Sequence, residues 1–334
     1  MKARYTKIAA AVLTLGLSLS LAACEGQVPQ VAAPTEDTAT APDLTERQEQ
    51  KIRKEILDAI DQATEAKNSA GLEQRLTGPM LAIRNSDIAI AAKTGQLRKE
   101  ATIPDKVAQV VIPTDAGWPR TAFAITTTTE DQQTQRLMVM TQESARQNYK
   151  LAAVARLFSG VTLPKFEVPE HGSKMGTPND DGLVATPRQA VERYADVLTN
   201  GASSQFASQF ADDTFRQTLG QVAQSVQEGM ERNKGTQQQT FTAVPNQLWG
   251  MRSVDGSELV VAEIDSVWTR QAGEGRESQP ASDEERALFG DGKPTSTMKV
   301  TYVNVVALVI PAKDSGKQIT AVGADRLSVK VEAV

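Results

Sequence analysis

The chain has 334 residues, 41 acidic against 36 basic side chains, a formal charge of −5, 40% hydrophobic residues and only 4% aromatic ones. The length allows a real hydrophobic core. The acidic balance and scarce aromatics argue against nucleic acid, which rewards clustered Lys and Arg and stacking rings, and against electrostatic attraction to anionic lipid.

The chain begins with a targeting segment. Lys2, Arg4 and Lys7 precede an uncharged apolar run over residues 8–21, and Leu21-Ala22-Ala23 leads into Cys24. A basic head, an apolar centre and small residues before the cut are the plan of a secretory signal. The run is too short to cross about 30 Å of hydrocarbon comfortably. Its Leu-Ala-Ala-Cys end resembles a bacterial lipoprotein signal. That resemblance implies that residues 1–23 are a signal peptide. It implies that Cys24 takes a diacylglycerol thioether and then an acyl chain such as palmitate. The mature protein is then expected on the extracytoplasmic face of the cell membrane, a lipoprotein held by lipid alone. Each buried CH₂ contributes about 0.8 kcal/mol, and two chains anchor stably where one does not. Cys24 is the only cysteine, so no intramolecular disulfide forms. Once lipidated, it leaves no thiol for catalysis or zinc. Residues 24–43, rich in Ala, Pro, Thr and Gln without apolar periodicity, read as a disordered tether of roughly 25 Å root-mean-square span.

Residues 44–67 predict a helix, with Ile52, Ile56, Ile60 and Ala63 on one face and Arg47, Glu49, Lys54 and Asp61 opposite. A short helical piece at 70–76 follows. Gly78-Pro79 breaks it and opens a helix at 80–93, which Gly95 closes. From Val107 the period changes to two. Strands are expected at 107–112, 121–129, 136–141 and, more ambiguously because of its alanines, 149–157. Residues 171–186, with four Gly or Pro positions among Asn and Asp, read as a linker.

The order then repeats: a helix from Pro187 to Asn200 with Ala190, Tyr194 and Leu198 on one face, a short helical piece at 203–210, and a long helix to about Arg232 capped by Asp212 or Asp213. Strands follow at 238–244, 247–253, 258–271, 297–310 and 317–331. Leu76-Thr-Gly-Pro-Met-Leu81 and Phe210-Ala-Asp-Asp-Thr-Phe215 occupy equivalent places, each starting the last helix before the strands. The fold class expected is α+β: two tandem domains, 44–170 and 187–334, each a curved antiparallel sheet packed on its N-terminal helices, joined by the 171–186 linker. The strand–helix alternation of a bilobal solute-binding protein is absent.

The order helix, short helix, helix, meander resembles the nuclear-transport-factor-2-like, or cystatin-like, fold. More narrowly, Leu76-Thr-Gly-Pro-Met-Leu-Ala-Ile-Arg84, Trp118-Pro-Arg120, and Met140-Thr-Gln142 running on to Tyr149-Lys150-Leu151 resemble a group of actinobacterial lipoproteins of unknown function. The resemblance implies surface exposure and no established activity.

Candidate chemistry is sparse. His171, the only histidine, lies in a polar turn without the packed partners a triad or a zinc site needs. Ser296-Thr-Met-Lys299 matches S-x-x-K, but a valine-rich strand follows, so Ser and Lys face opposite sides. Lys93-Thr-Gly95 precedes it, against the order of that motif. Gly290-Asp-Gly292-Lys293 lacks the early glycine and the Ser or Thr of a phosphate loop. Asn179-Asp-Asp-Gly182 and Asp283-Glu-Glu285 lack the alternating oxygens of a calcium loop and read as solvated turns. No catalytic residue, metal site or cofactor is expected.

On the 258–271 strand, Val260, Ala262, Ile264, Ser266 and Trp268 share one face and Glu263 and Asp265 the other. The apolar face is expected to meet helices, leaving both carboxylates in water and this half without isomerase chemistry. Residues 297–310 are apolar on both faces, the pattern of a covered central strand. Tyr302 and Asn304 are the polar exceptions; with Trp268 they form a candidate pocket, although a buried Asn is ordinarily a hydrogen-bonded core amide. The leading functional expectation is a non-catalytic module of the cell envelope that binds a protein partner or another envelope component. The alternative is a carrier of a small apolar ligand in a cone-shaped pocket, and the third reading is an enzyme of the nuclear-transport-factor-like kind. The expected contacts are the membrane through lipid on Cys24, an envelope protein, or a small apolar ligand.

Overall fold

The computed structural model describes residues 41–114, 117–128 and 134–334; the signal peptide, Cys24 and the tether up to residue 40 lie outside the described residues. Thr45 opens α1 (Glu46–Glu65) with a capping box, accepting from Gln48 N at 3.2 Å while Gln48 Oε1 accepts from Thr45 N at 2.8 Å. Ile56, Leu57, Ile60 and Ala63 of α1 are buried. Glu49, expected on the wet face, is only 1% exposed. It pairs with Arg53 at 2.8 Å, and Arg53 also reaches the carbonyl of Asp105, so the chain after α2 covers this side of the helix.

The short piece at 70–76 is a 3₁₀ turn, Leu72–Gln74, and α2 spans Gly78–Thr94 with Pro79 in its first turn. Gly95 ends it at φ 82°, a left-handed conformation that favours glycine. Strands β1 (Val107–Val111), β2 (Arg120–Thr126), β3 (Arg136–Gln142) and β4 (Lys150–Arg156) pair in sequence order as an antiparallel meander.

The second sheet has the order β5-β6-β7-β8-β9. The expected linker contributes its edge strand, β5 (Met175–Gly176). Helix α3 (Pro187–Asn200) is capped by Thr186, and α4 (Thr214–Glu231) by Asp213, which accepts from Arg216 N at 2.8 Å. Two 3₁₀ turns, Gly201–Ser203 and Ala207–Gln209, stand in place of the short helix expected between them. The strands expected at 238–244 and 247–253 run together as β6 (Thr236–Arg252), with an irregularity between Ala243 and Leu248. Strands β7 (Glu258–Gln271), β8 (Thr297–Ile310) and β9 (Thr320–Ala333) complete the sheet. Asp283-Glu-Glu285, read as a solvated turn, instead starts α5 (Asp283–Phe289): Ser282 caps it, and Glu285 is buried against Arg270.

The strands' period of two sorts side chains between cores. Ala122, Ala124, Met138 and Met140 of the first sheet pack with α1. The opposite face, with Phe123, Ile125, Val139 and Ala153, shares a core with Leu259, Val261, Val303 and Val305 of the second sheet. Helix α2 serves both, giving Met80 and Ile88 to one core and Ile83 and Ile90 to the other. The far face of the second sheet, with Val260, Ala262, Ile264, Val306 and Leu308, packs on Ala190, Val191 and Tyr194 of α3.

The two halves therefore close one interior between them, and the described residues belong to one compact unit. The alanines that made β4 ambiguous let it pass close against β7, β8 and β9. At its end Leu157 bridges Gly323, where a Cβ would lie 2.7 Å from the Arg156 carbonyl. Asp325 of β9 adds a charged tie, accepting from Arg98 at 3.0 and 2.9 Å and lying 3.3 Å from Arg156 of β4; Arg98 also donates to Asp87 of α2 at 2.6 Å.

The internal repeat has a matching backbone signature. Leu76 makes a parallel bridge to Leu151 at the last strand of the first half, and Phe210 makes one to Ile319 just before the last strand of the second. The flanking bonds correspond: Thr77 N to Leu151 O and Leu151 N to Arg75 O, against Ala211 N to Ile319 O and Ile319 N to Gln209 O.

Candidate ligand cavity

Phe215, Leu219, Val222 and Val226 recur at i, i+4, i+7 and i+11, which puts an apolar stripe along α4. Yet Phe215 is the single buried residue of this 18-residue helix. Helix α4 stands off the second sheet, and between them lies a cavity of about 500 Å³. Phe215, Leu219 and Val222 form its roof, Trp268, Tyr302 and Arg326 its floor, and Leu157 and Phe158 of the first half one rim. Its volume and its mostly apolar exposed surface, with Arg156, Thr218, Gln239, Tyr302 and Arg326 among the polar groups of its lining, are in the range of a small-molecule site.

The floor is ordered by hydrogen bonds. Trp268, 5% exposed, donates from Nε1 to Gln237 Oε1 at 2.6 Å. Asn304, fully buried, donates from Nδ2 to the Ile264 carbonyl at 2.6 Å and to Ser266 Oγ at 3.1 Å. Arg326 Nη1 donates to Ser266 Oγ and Asn304 Oδ1, both at 3.0 Å, and the guanidinium lies 3.6 Å from the Tyr302 ring centre. Burial pulls the Arg326 guanidinium down to about 10, with Tyr302 opposing the shift. Tyr302 donates to Glu285 Oε1 at 3.3 Å, and burial pushes its phenol up to about 12.

Trp268 and Tyr302 thus line one cavity, and Asn304 lies beneath it, bracing Arg326. Sequence reasoning missed Arg326 and the α4 roof. The signals were the stripe on α4 and a charged pair, Asp325-Arg326, set into the otherwise apolar 321–327 segment. Cys24 lies outside the described residues. His171 is in a turn, 73% exposed, 3.9 Å from Glu167.

Glu263 and Asp265 are a correction. The face they occupy meets the first sheet, not solvent, so Glu263 is only 8% exposed. Burial, and then the neighbouring Asp265, push its carboxyl up to about 7. The pair lies on the opposite face of β7 from the cavity floor. A second raised carboxyl, Glu258, sits fully buried against Gly176 and Gly250, where an added Cβ would meet its Oε1 at 1.9 and 2.0 Å. Burial and the neighbouring Asp180 push it up to about 8, although Arg252 is 3.3 Å away.

Fold and cavity define a class: an α+β body of two sheets sharing one core, with a helix-roofed pocket on the outer sheet. The chain belongs to the family described as a domain of unknown function, DUF8094, whose model matches residues 40–330. It is similar to an uncharacterized lipoprotein of Streptomyces avermitilis, 25% identical over 268 residues, covering 79% of this chain and 78% of the relative. The expected kinship with actinobacterial lipoproteins of unknown function is thereby met. No solved structure matches. Among the described residues no helix is long and apolar enough to cross a membrane.

Proposed function

We propose that this protein is a lipoprotein anchored through Cys24 at the extracytoplasmic face of the cell membrane, and that its body holds a small, largely apolar ligand between α4 and the second sheet. The carrying observation is the stand-off of α4, which leaves about 500 Å³ walled by apolar side chains over an ordered floor. Packed interiors leave few voids larger than a water molecule, and a cleft of this size is the default place to expect a ligand. The role we propose is binding rather than turnover, supported by the mostly apolar lining over an ordered floor. The similarity to a lipoprotein and the signal-like residues before Cys24 support the anchoring. Mass spectrometry of an organic extract of the purified protein tests the carrier. A bound lipophile is expected in the wild type and absent from a Leu219→Trp variant; an empty wild type counts against it.

One observation favours the protein-partner reading as a second role. Trp118 is 40% exposed, with the Arg120 guanidinium 4.4 Å from its ring centre, and exposed aromatics with Arg are common anchors of interfaces. Crosslinking in membranes is expected to give a specific envelope protein that Trp118→Ser loses; a pattern unchanged by that substitution removes this role.

A further inference from the structure

We infer that the ligand carries a single carboxylate on its apolar body, and that Arg326 receives it; the inference rests on the cavity reading above and deepens it. The other guanidinia near the floor, Arg156 of the cavity wall included, each have a carboxylate at ion-pair distance. Arg270 is held by Glu285 at 3.1 and 2.5 Å. Arg98 donates to both oxygens of Asp325 and both of Asp87, and Arg156 lies 3.3 Å from Asp325. Arg326 has no carboxylate at ion-pair distance among the described residues; its partners are a hydroxyl, an amide oxygen and a ring face.

A guanidinium has five N–H donors. The bonds to Ser266 and Asn304 use Nη1 alone, and with one further contact to the Tyr302 side chain the fork still has donors for the cavity that Arg326 lines. A cation kept beside apolar walls without a counter-charge is costly unless something supplies one. A planar carboxylate matches the fork of a guanidinium bidentately. One unmatched cation calls for one negative charge, so a monocarboxylate fits better than a phosphate dianion. The space is far larger than a small anion needs, and Phe215, Leu219 and Val222 offer apolar contact to the rest of the molecule.

The orientation is also set. Asn304 is buried and fixed by the Ile264 carbonyl, so it holds the guanidinium against the sheet and off the cavity mouth. An acid group would enter first and meet Arg326 at the floor, with the apolar body under α4.

The test is calorimetric titration of the body comprising residues 41–334, which encloses its own cores, with decanoate and with decanol at neutral pH. The wild type is expected to prefer decanoate by about tenfold or more, the difference a desolvated charge pair makes. Arg326→Gln is expected to weaken decanoate by about tenfold or more and to leave decanol within about twofold, while Arg326→Lys, which keeps the charge but not the fork, retains part of the preference. Equal wild-type affinities for the two probes, or a preference that survives Arg326→Gln, would overturn the carboxylate inference while leaving the cavity reading intact. Binding of neither probe by the wild type overturns both. If Arg326→Gln fails to fold, the wild-type ratio and its partial retention in Arg326→Lys decide the matter.

Discussion

The two halves run through the same elements and make opposite use of their last helix. In the first half α2 buries Pro79, Met80, Ile83, Ile88, Ile90 and Ala91 and joins two cores. In the second, α4 occupies the equivalent place and buries only Phe215. The backbone bridges before the two helices are alike, so the difference lies in the side chains that follow. Helix α2 is apolar around much of its circumference. Helix α4 has a single narrow stripe and Gln217, Gln221, Gln224 and Gln227 elsewhere. One half is filled as a support; the other keeps space.

The largest expected effect falls on the tie between the halves. Asp325→Ala leaves Arg98 and Arg156 without their shared carboxylate inside the protein, and removal of one partner from a buried pair costs about 3–5 kcal/mol. Urea denaturation should show that loss in a single transition, because the halves share a core; two separate transitions would mean that they are independent.

Next comes the contrast in packing. Met138→Ala, in the filled half, is expected to cost about 2–5 kcal/mol by the cavity it opens. Leu219→Trp, in the open half, is expected to change stability by less than about 1 kcal/mol, since the added ring enters existing space, whereas overpacking a filled core costs about 1–3 kcal/mol. Denaturation curves giving equal losses would erase the distinction between the halves.

A pH dependence comes from buried carboxyls of the second sheet. Folded Glu258 keeps its proton to about pH 8, while the unfolded chain releases it near 4.5. The native state then binds more protons across that window, so stability falls as pH rises from about 4.5 to about 8. Glu263, raised to about 7, adds to the fall over the lower part of the window. Asp325 acts oppositely: burial alone would raise its carboxyl, but Arg98, Arg156 and the Arg326 backbone amide together outweigh that cost and hold it below the ordinary 3.8, so its contribution is lost in acid below that value. Glu258→Gln should flatten the alkaline decline; thermal melts across pH that keep the wild-type slope would contradict the assignment. Tyr302→Phe, which removes the bond to Glu285 but keeps the ring under Arg326, is expected to cost about 0.5–1.5 kcal/mol in denaturation curves.

Much of this fold was legible. The bounds of α3, β7 and β8 follow from Pro187 and Gly201 and from long runs with a period of two. Helix α5 was not legible, because its acidic first turn looks like a solvated loop until Arg270 is placed opposite Glu285. Glu263 and Asp265 were misplaced because a polar residue on a strand says which face it shares, not what covers that face; the first sheet does, and sequence periodicity carries no signal for sheet-on-sheet packing. Trp268 and Tyr302 were readable as large side chains on one apolar face. Arg326 was not, since its role depends on Asp325 turning the other way to meet Arg98 and Arg156.

The central claim, that the space under α4 is a ligand site, is met most directly by titrating residues 41–334 with the neutral dye N-phenyl-1-naphthylamine. The account predicts one saturable site with enhanced emission, abolished by Leu219→Trp in a protein that melts as the wild type does. Absence of saturable binding, or binding untouched by that tryptophan, would contradict it.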